Sequence, residues 1–542
     1  MYCHSPQVNQ LTALLVAHGV ERAVVCPGSR NGVVVHNLHA LQSEGRMQLT
    51  AVTDERSAAF VALGMTLATQ QAVAVCVTSG SALLACLPAV AEAYYRHLPL
   101  LVISADRPQE WIGQWDGQTL PQHGALMPYC PTHTLAAADA DGTYTDAQRW
   151  LTNRLANEAL LALSRQGGGP AHINVPVAEP LFRFTTPHLP HERMVRRHEP
   201  QATQPLPAEV VQLVAGARLP ALVVGQYERG DLRAEVAALT ARRQMLVLPD
   251  IIADVEGSHR LLAFDRMDAT AEADCLPDVV VHLGGNFVCQ RFKALLRQAE
   301  VQVVRLGYDE GLADTFCHLT HTVRCGEQAA LQQLAAALPP HNPQVARALQ
   351  RLEALAAPEP VLQPAPQGAY VWQTLSQALA KRSGFTLHLG NSLSIRLAAR
   401  YLRSGLYPIL ANRGTNGIEG SLSAAVGYAT AMWGLSIVVL GDLSFFYDAN
   451  ALWNVALPPN LRILLVNNGR GGIFDHLPGL SQSPASKPYI AAGGQHFDAQ
   501  GIAQAFHVDY HRADATHALP EAIEAWLGEG ERAKLLEVRT DD

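Results

Sequence analysis

Short β-branched apolar runs alternate with longer stretches of helical period along most of this 542-residue chain. In the first third, QVNQLTALLVAHG leads into AVVCPGSRN, LTAVTDE precedes RSAAFVALGMTLAT, AVAVCVTSG precedes SALLACLPAVAEAYYR, and PLLVISADRP follows. Apolar strands separated by helices predict a parallel sheet covered on both faces. Such sheets place ligands in the polar loops at their strand ends. From about residue 186 the alternation breaks into TTPHLPHERMVRRHEPQATQPLP, which reads as a surface linker. A second unit runs through PALVVG, MLVLPD, DVVVHLGG and VQVVRLG, and the Pro-rich LPPHNPQ and APEPVLQPAPQG close it. TLHLGNS, YPILANRG, SIVVLGDLS, LRILLVNNG and AKLLEVRT then repeat the pattern. The prediction is an α/β protein of three doubly wound parallel-sheet domains, spanning 1–185, 186–355 with flanking linkers, and 356–542.

Composition narrows the function. Apolar residues make up 48% of the chain and charged residues 16%, as in a compact globular protein. A formal charge of -8 argues against general nucleic-acid binding, which needs excess basic groups to displace counterions. Lys293, Lys381, Lys487 and Lys534 are the only lysines, so 36 of the 40 basic residues are arginines, the side chain suited to forked capture of carboxylates and phosphates. The nine cysteines form no CxxC pair and several sit within apolar strands, the pattern of reduced, buried thiols. MYCHSPQVNQ lacks the basic start and apolar segment of a secretion signal, and no apolar run reaches membrane-spanning length. The expectation is a soluble, cytoplasmic protein.

The chemistry concentrates where strands stop. In VVLGDLSFFYD a buried strand ends at Gly441 and Asp442, and RILLVNNG ends at Asn467 and Asn468. Neighbouring parallel strands would bring a carboxylate and an asparagine carbonyl to one edge. These are hard oxygen donors of the kind that hold magnesium together with a substrate diphosphate. Gly441 admits close backbone approach, and Ser444 with nearby helix-start N–H groups can receive negative charge. An aspartate at such a position is about as often a simple helix cap, but the pairing of GD with NN resembles the signature of the thiamin-diphosphate-dependent enzymes. The resemblance implies Asp442 and Asn468 as metal ligands, with the Arg470 carbonyl as a third, and Mg2+ or Mn2+ as the metal. It departs from the family in GDLS, where many members carry a second glycine. Thiamin diphosphate also requires a carboxylic acid side chain against its aminopyrimidine in an apolar pocket. Glu55 in LTAVTDERSAAFVALG occupies a strand-to-helix turn and is the candidate; helix capping by Glu55 or Asp54 is the competing reading.

The segments CPGSRN, TDERSAAFVALG, TSGSALLACLPAVAEA, SADRP, INVPVAEPL, GNSLSIRL, NRGTNGIEGSLSAAVGYA and GDLSFFYDANAL together resemble one branch of these enzymes, the 2-succinyl-5-enolpyruvyl-6-hydroxy-3-cyclohexene-1-carboxylate synthases of menaquinone biosynthesis. The resemblance is weakest in the middle domain. It implies a transferase that decarboxylates 2-oxoglutarate and adds the succinyl-semialdehyde carbanion to isochorismate. It also implies a pyrimidine-binding first domain, a diphosphate-binding last domain, and a homodimer or homotetramer with active sites between subunits. Both substrates are dicarboxylates, so several arginines should face the site; an enzyme acting on pyruvate would have little use for them. By resemblance, Ser29, Arg30, Arg107, Gln118, Arg291, Ser392, Arg396 and Arg413 bind substrate. Asn391, Ile418, Gly441, Leu443, Ser444, Ile473 and Phe474 join Glu55, Asp442 and Asn468 around the cofactor, with Ile418 propping it in its bent form. The histidine pairs HNLH and HLTH lack a carboxylate that would complete a metal set, and HLGGNF reads as turn chemistry.

Overall fold

The computed structural model describes residues 1–138, 143–164, 167–198, 204–228, 230–267, 269–308, 311–356, 367–403, 405–454, 456–494 and 496–540. Among the described residues, seventeen strands form three sheets. The first contains β1 (Arg22–Val25), β2 (Gln48–Ala51), β3 (Val73–Val77), β4 (Leu100–Asp106), β5 (Thr132–Thr134) and β6 (Ala171–Pro176), in the order β2-β1-β3-β4-β6-β5. The second contains β7 (Pro220–Val224), β8 (Leu246–Pro249), β9 (Val279–Leu283), β10 (Gln302–Gly307) and β11 (Leu319–Arg324), in the order β11-β10-β9-β7-β8. The third contains β12 (Phe385–Leu389), β13 (Ile409–Ala411), β14 (Leu435–Gly441), β15 (Leu461–Asn467), β16 (Asp509–Asp514) and β17 (Lys534–Arg539), in the order β13-β12-β14-β15-β17-β16. Neighbours pair in parallel throughout these sheets, from β1 with β3 to β15 with β17. Central strands such as β3 and β7 are buried at every residue, which is why their sequences are continuously apolar.

Four strands escaped the sequence pattern: β5, β6, β11 and β16. β11 alternates half-buried and exposed residues as an edge strand does, and the HLTH histidines lie on and just before it. His318 meets the Arg297 carbonyl and His321 its neighbour Thr320. All nine cysteines are free thiols, and Cys317 alone is exposed. No helix among the described residues is long and apolar enough to cross a membrane.

The first and third domains meet at two glycines. Helix Glu55–Thr69 crosses helix Ser421–Ala431 so closely that a Cβ on Gly64 would collide with the Ala424 carbonyl, and one on Gly427 with the Val61 carbonyl. Small residues let the two backbones touch, and their apolar faces merge the two domains into one core. Val52 also forms an antiparallel bridge with Asn454.

The crossing is braced by a buried acid. Asp448, 0% exposed, accepts the Ser423 amide at 2.8 Å and the Ser423 hydroxyl at 2.7 Å, holding the first turn of helix Ser421–Ala431. Burial pushes its carboxyl up to about 6 and does the same to Asp250. The folded chain therefore binds these protons more tightly than the unfolded chain. Their contribution to stability is full below about pH 4 and is lost as pH rises through about 6.

Two outcomes are expected. Gly64→Ala should lower the urea midpoint by an amount worth roughly 1–3 kcal/mol, the cost of overpacking a closed contact; an unchanged midpoint would mean that the helices do not touch there. In Asp448→Asn, the decline of stability between about pH 4 and about pH 6.5 should be shallower than in the wild-type chain. An equal decline in urea titrations across that range would rule out Asp448 as a source.

Candidate active site

β14 and β15 lie side by side with Gly441 opposite Val466, so the residues that follow them emerge together. Asp442 opens helix Asp442–Tyr447, and Asn468 follows the last residue of β15. Both line a cavity of about 550 Å³ together with Asn391, Ser392, Ile418, Gly441, Leu443, Ser444, Arg470 and Phe474. Asp442 is buried, and burial holds its carboxyl above the usual aspartate range although the amides of Leu443, Gly469 and Arg470 oppose the shift. A buried carboxylate held only by N–H groups can still accept a cation. Ser444 donates its hydroxyl to the Ile418 carbonyl at 2.6 Å, tying the Ile418 loop to the helix that begins with Asp442. Ser392 adopts φ 67° just before helix Leu393–Tyr401. Ile473 sits in the 3-10 turn Gly472–His476 and does not line the cavity, whereas Phe474 does.

The paired asparagines divide their work. Asn467 is buried and donates to the Phe497 carbonyl at 2.9 Å and to Glu537 at 2.7 Å, so its amide is used inside the domain. Asn468 is the one that reaches the cavity. Among the described residues no three His, Cys, Asp or Glu side chains cluster to hold a metal. The donors at these two strand ends are the Asp442 carboxylate, the Asn468 amide and the Arg470 carbonyl, a set that suits Mg2+ only when a ligand's phosphate oxygens complete the octahedron.

The first domain forms a separate polar edge. Asp54, not Glu55, caps helix Glu55–Thr69, accepting the Ser57 amide at 3.0 Å and the Asn450 side chain at 2.7 Å. Glu55 is half-buried beside Cys86, and its carboxylate makes no hydrogen bond or ion pair among the described residues. It does not line the third-domain cavity. Arg30 donates to the Val177 carbonyl at 3.0 Å and pairs with Glu179, while its Nε is buried without a partner. Burial, then the charge of nearby Arg107, lowers its pKa. Arg107 donates to Ser79 at 3.1 Å and to the Gln118 carbonyl at 3.3 Å, and pairs with Asp116. Ser29 and Gln118 are exposed beside these arginines, Gln118 at φ 55°.

The remaining arginines separate. Arg413 is buried, donating to Asn391 and to Asn286, each at 3.2 Å, and its Nε has no partner among the described residues. Burial pushes its pKa down to about 10 against the opposing charge of Asp250. Arg396 donates to the Ser392 carbonyl at 2.6 Å from an exposed helix face. Arg291 turns to the Phe264 carbonyl and Glu272 and lines neither large cavity. A second cavity, about 750 Å³, lies where the three domains meet and is lined by Arg96, Gln226, Glu228, Asn286, Lys293, Arg297, Arg305 and Arg413. Asn286, Asp250 and Glu92 touch this region and carried no sequence signal, because their partners lie far away along the chain.

Two family models match the chain. The N-terminal TPP binding domain of thiamine pyrophosphate enzymes matches residues 8–126, and the corresponding C-terminal domain matches residues 392–538. The 2-succinyl-5-enolpyruvyl-6-hydroxy-3-cyclohexene-1-carboxylate synthase of Bacteroides thetaiotaomicron is 37% identical over 97% of this chain and 94% of its own length. The chain belongs to that synthase family. The synthase of Phocaeicola vulgatus is also 37% identical, over 100% of this chain and 96% of its own. For the synthase of Desulfotalea psychrophila the figure is 34%, over 98% of both chains. Identity of this extent over whole lengths takes in the middle domain of the synthase family, which neither thiamine pyrophosphate model covers.

The two asparagines should behave differently. Asn467→Ala should cost about 1–3 kcal/mol of stability by leaving buried acceptors unmatched. Asn468→Ala should leave the urea midpoint near wild type while weakening Mg2+-dependent binding of thiamin diphosphate, read by quenching of tryptophan fluorescence. The reverse assignment of effects would overturn the division.

Proposed function

We propose that this chain decarboxylates 2-oxoglutarate and adds the remaining succinyl-semialdehyde unit to isochorismate, giving 2-succinyl-5-enolpyruvyl-6-hydroxy-3-cyclohexene-1-carboxylate for menaquinone biosynthesis. The observation that carries the reading is the meeting of Asp442, Asn468 and Arg470 at the ends of adjacent strands in one cavity, within a chain of this family. When bound, thiamin diphosphate supplies the carbon nucleophile and the electron sink for decarboxylation. Asp442, the Asn468 side chain and the Arg470 carbonyl would hold Mg2+ or Mn2+ against its diphosphate. Gly441, Leu443, Ser444 and Asn391 would line that end of it, and Ile418 and Phe474 the apolar middle; Ile473, outside the cavity, would join them only after the Gly472–His476 turn shifts. Glu55 would hold a proton at a pyrimidine ring nitrogen, a role its unengaged, half-buried carboxylate suits.

The substrate carboxylates would be received by Arg30, Arg107, Arg396 and Arg413, with Ser29, Gln118 and Ser392 as neutral donors. Arg291, held by Glu272 and the Phe264 carbonyl, would reach in only after a rearrangement of the middle domain. Since Glu55 lies outside the cavity that holds Asp442 in its own chain, the reading includes a homodimer, or a dimer of dimers, whose sites draw Glu55 from one subunit and Asp442 from the other. It places the enzyme in the cytoplasm.

The test follows isochorismate absorbance in the presence of 2-oxoglutarate, thiamin diphosphate and Mg2+, omitting each in turn. Loss that requires every component, with the coupled acid identified by mass, is the expected result. Decarboxylation of 2-oxoglutarate without loss of isochorismate would overturn the acceptor. Glu55→Gln should reduce turnover by at least about a hundredfold with fold and Mg2+ binding retained; normal turnover would remove Glu55 from the mechanism.

A further inference from the structure

Arg413 and Ile418 ride on the segment between β13 and helix Ser421–Ala431. Two sets of contacts hold that segment. From within the third domain, Asn391 donates to the Asn412 carbonyl at 2.6 Å and to the Gly417 carbonyl at 2.5 Å, and Ser444 holds the Ile418 carbonyl. The other set comes from the first domain. Glu92, 0% exposed on helix Leu87–Arg96, accepts the Gly414 amide at 2.9 Å on Oε1 and the Thr415 amide at 2.7 Å on Oε2, where the Thr415 hydroxyl also donates at 3.0 Å.

These donors offset part of the cost of burying the carboxylate, and Arg96 adds a cation at 3.3 Å. Arg96 also pairs with Glu228 of the middle domain and donates to Asn412 at 3.1 Å. Gln226 completes the junction, donating to Glu228 at 3.2 Å and to the Ala411 carbonyl at 2.9 Å. Gly414 is glycine for a visible reason: a Cβ there would stand 2.9 Å from both the Glu92 carbonyl oxygen and its Oε2.

We propose that Glu92 is a positioning residue of the synthase: it fixes the two amides that follow Arg413, and so sets where the Arg413 guanidinium stands for a substrate carboxylate. The unpaired, buried Nε of Arg413 is the capacity left for that carboxylate. Gly417 and Ile418 have their own anchors in Asn391 and Ser444, so Glu92 governs the substrate end of the segment and not the cofactor end.

This inference rests on the function proposed above, and its test separates the two. Glu92→Gln, Gly414→Ala, Arg413→Met and the double variant Glu92→Gln/Arg413→Met are compared with the full-length wild-type enzyme. Misplacement of a binding group by about an ångström can cost on the order of a hundredfold. Glu92→Gln should therefore raise the KM of the substrate that Arg413→Met affects by at least about tenfold. Gly414→Ala, which leaves the charges of Glu92, Arg96 and Glu228 in place, should show the same signature even if Glu92→Gln folds poorly. The double variant should bind that substrate no worse than Arg413→Met alone, because both changes act on one group. Thiamin diphosphate affinity, measured by tryptophan fluorescence, should stay within about threefold of wild type in Gly414→Ala, less than RT ln 10 of disturbance. Multiplying effects in the double variant, an unchanged KM in Gly414→Ala, or a KM effect on the other substrate would each overturn the role of Glu92. A wild-type enzyme that neither binds thiamin diphosphate nor consumes isochorismate would instead overturn the proposed function.

Discussion

The contact between helices Glu55–Thr69 and Ser421–Ala431 governs the architecture, because it decides which parts of the first and third domains face each other within one chain. Gly64 and Gly427 let the backbones meet, and no larger residue fits without moving one helix. The start of the first helix is thereby pinned beside residues 447–454, through Arg56 on the Tyr447 carbonyl and Asp54 on Asn450. Glu55 emerges from that pinned turn, while Asp442 opens into the third-domain cavity. A single crossing thus presents the two chemically distinct edges as separate surfaces of one molecule.

Around that frame, the polar groups are sorted by what a buried charge demands. Asp448 is held by the amide and hydroxyl of Ser423, with the Leu422 amide beside them, and serves the fold. Asp442 has backbone amides but no cation, which leaves it able to take one. Glu92 has both amides and a cation, so nothing is left over for a ligand. Three buried acids on similar apolar elements therefore differ in function because of what surrounds each oxygen.

The parallel architecture was legible because buried strands such as β3 and β7 are apolar at every position. Four strands were not: β5 has three residues, β6 is interrupted by His172 and Asn174, and the edge strands β11 and β16 alternate or carry charge. The Asp442 and Asn468 pair could be read because each closes a recognisable strand, and the choice of Asn468 over Asn467 is explained by the inward bonds of Asn467 to Glu537 and Phe497. Arg291 illustrates the opposite case, since its partner Glu272 is fixed by the packing of two helices that no local pattern specifies. Glu92 was hidden more deeply. In AVAEAYYR it looks like an ordinary solvated helix position, and its acceptor role depends on residues more than three hundred positions away.

The junction of Glu92, Arg96 and Glu228 has a consequence for ancestry. The first domain contributes Glu92 and Arg96, the middle domain Glu228, and the third the Gly414 and Thr415 amides, with Gly414 leaving room for the carboxylate. A chimera that borrowed one domain from a distant relative would bring a mismatched charge into a sealed joint. A change to one of these groups in one module is consequently constrained by the groups that the other modules present to it.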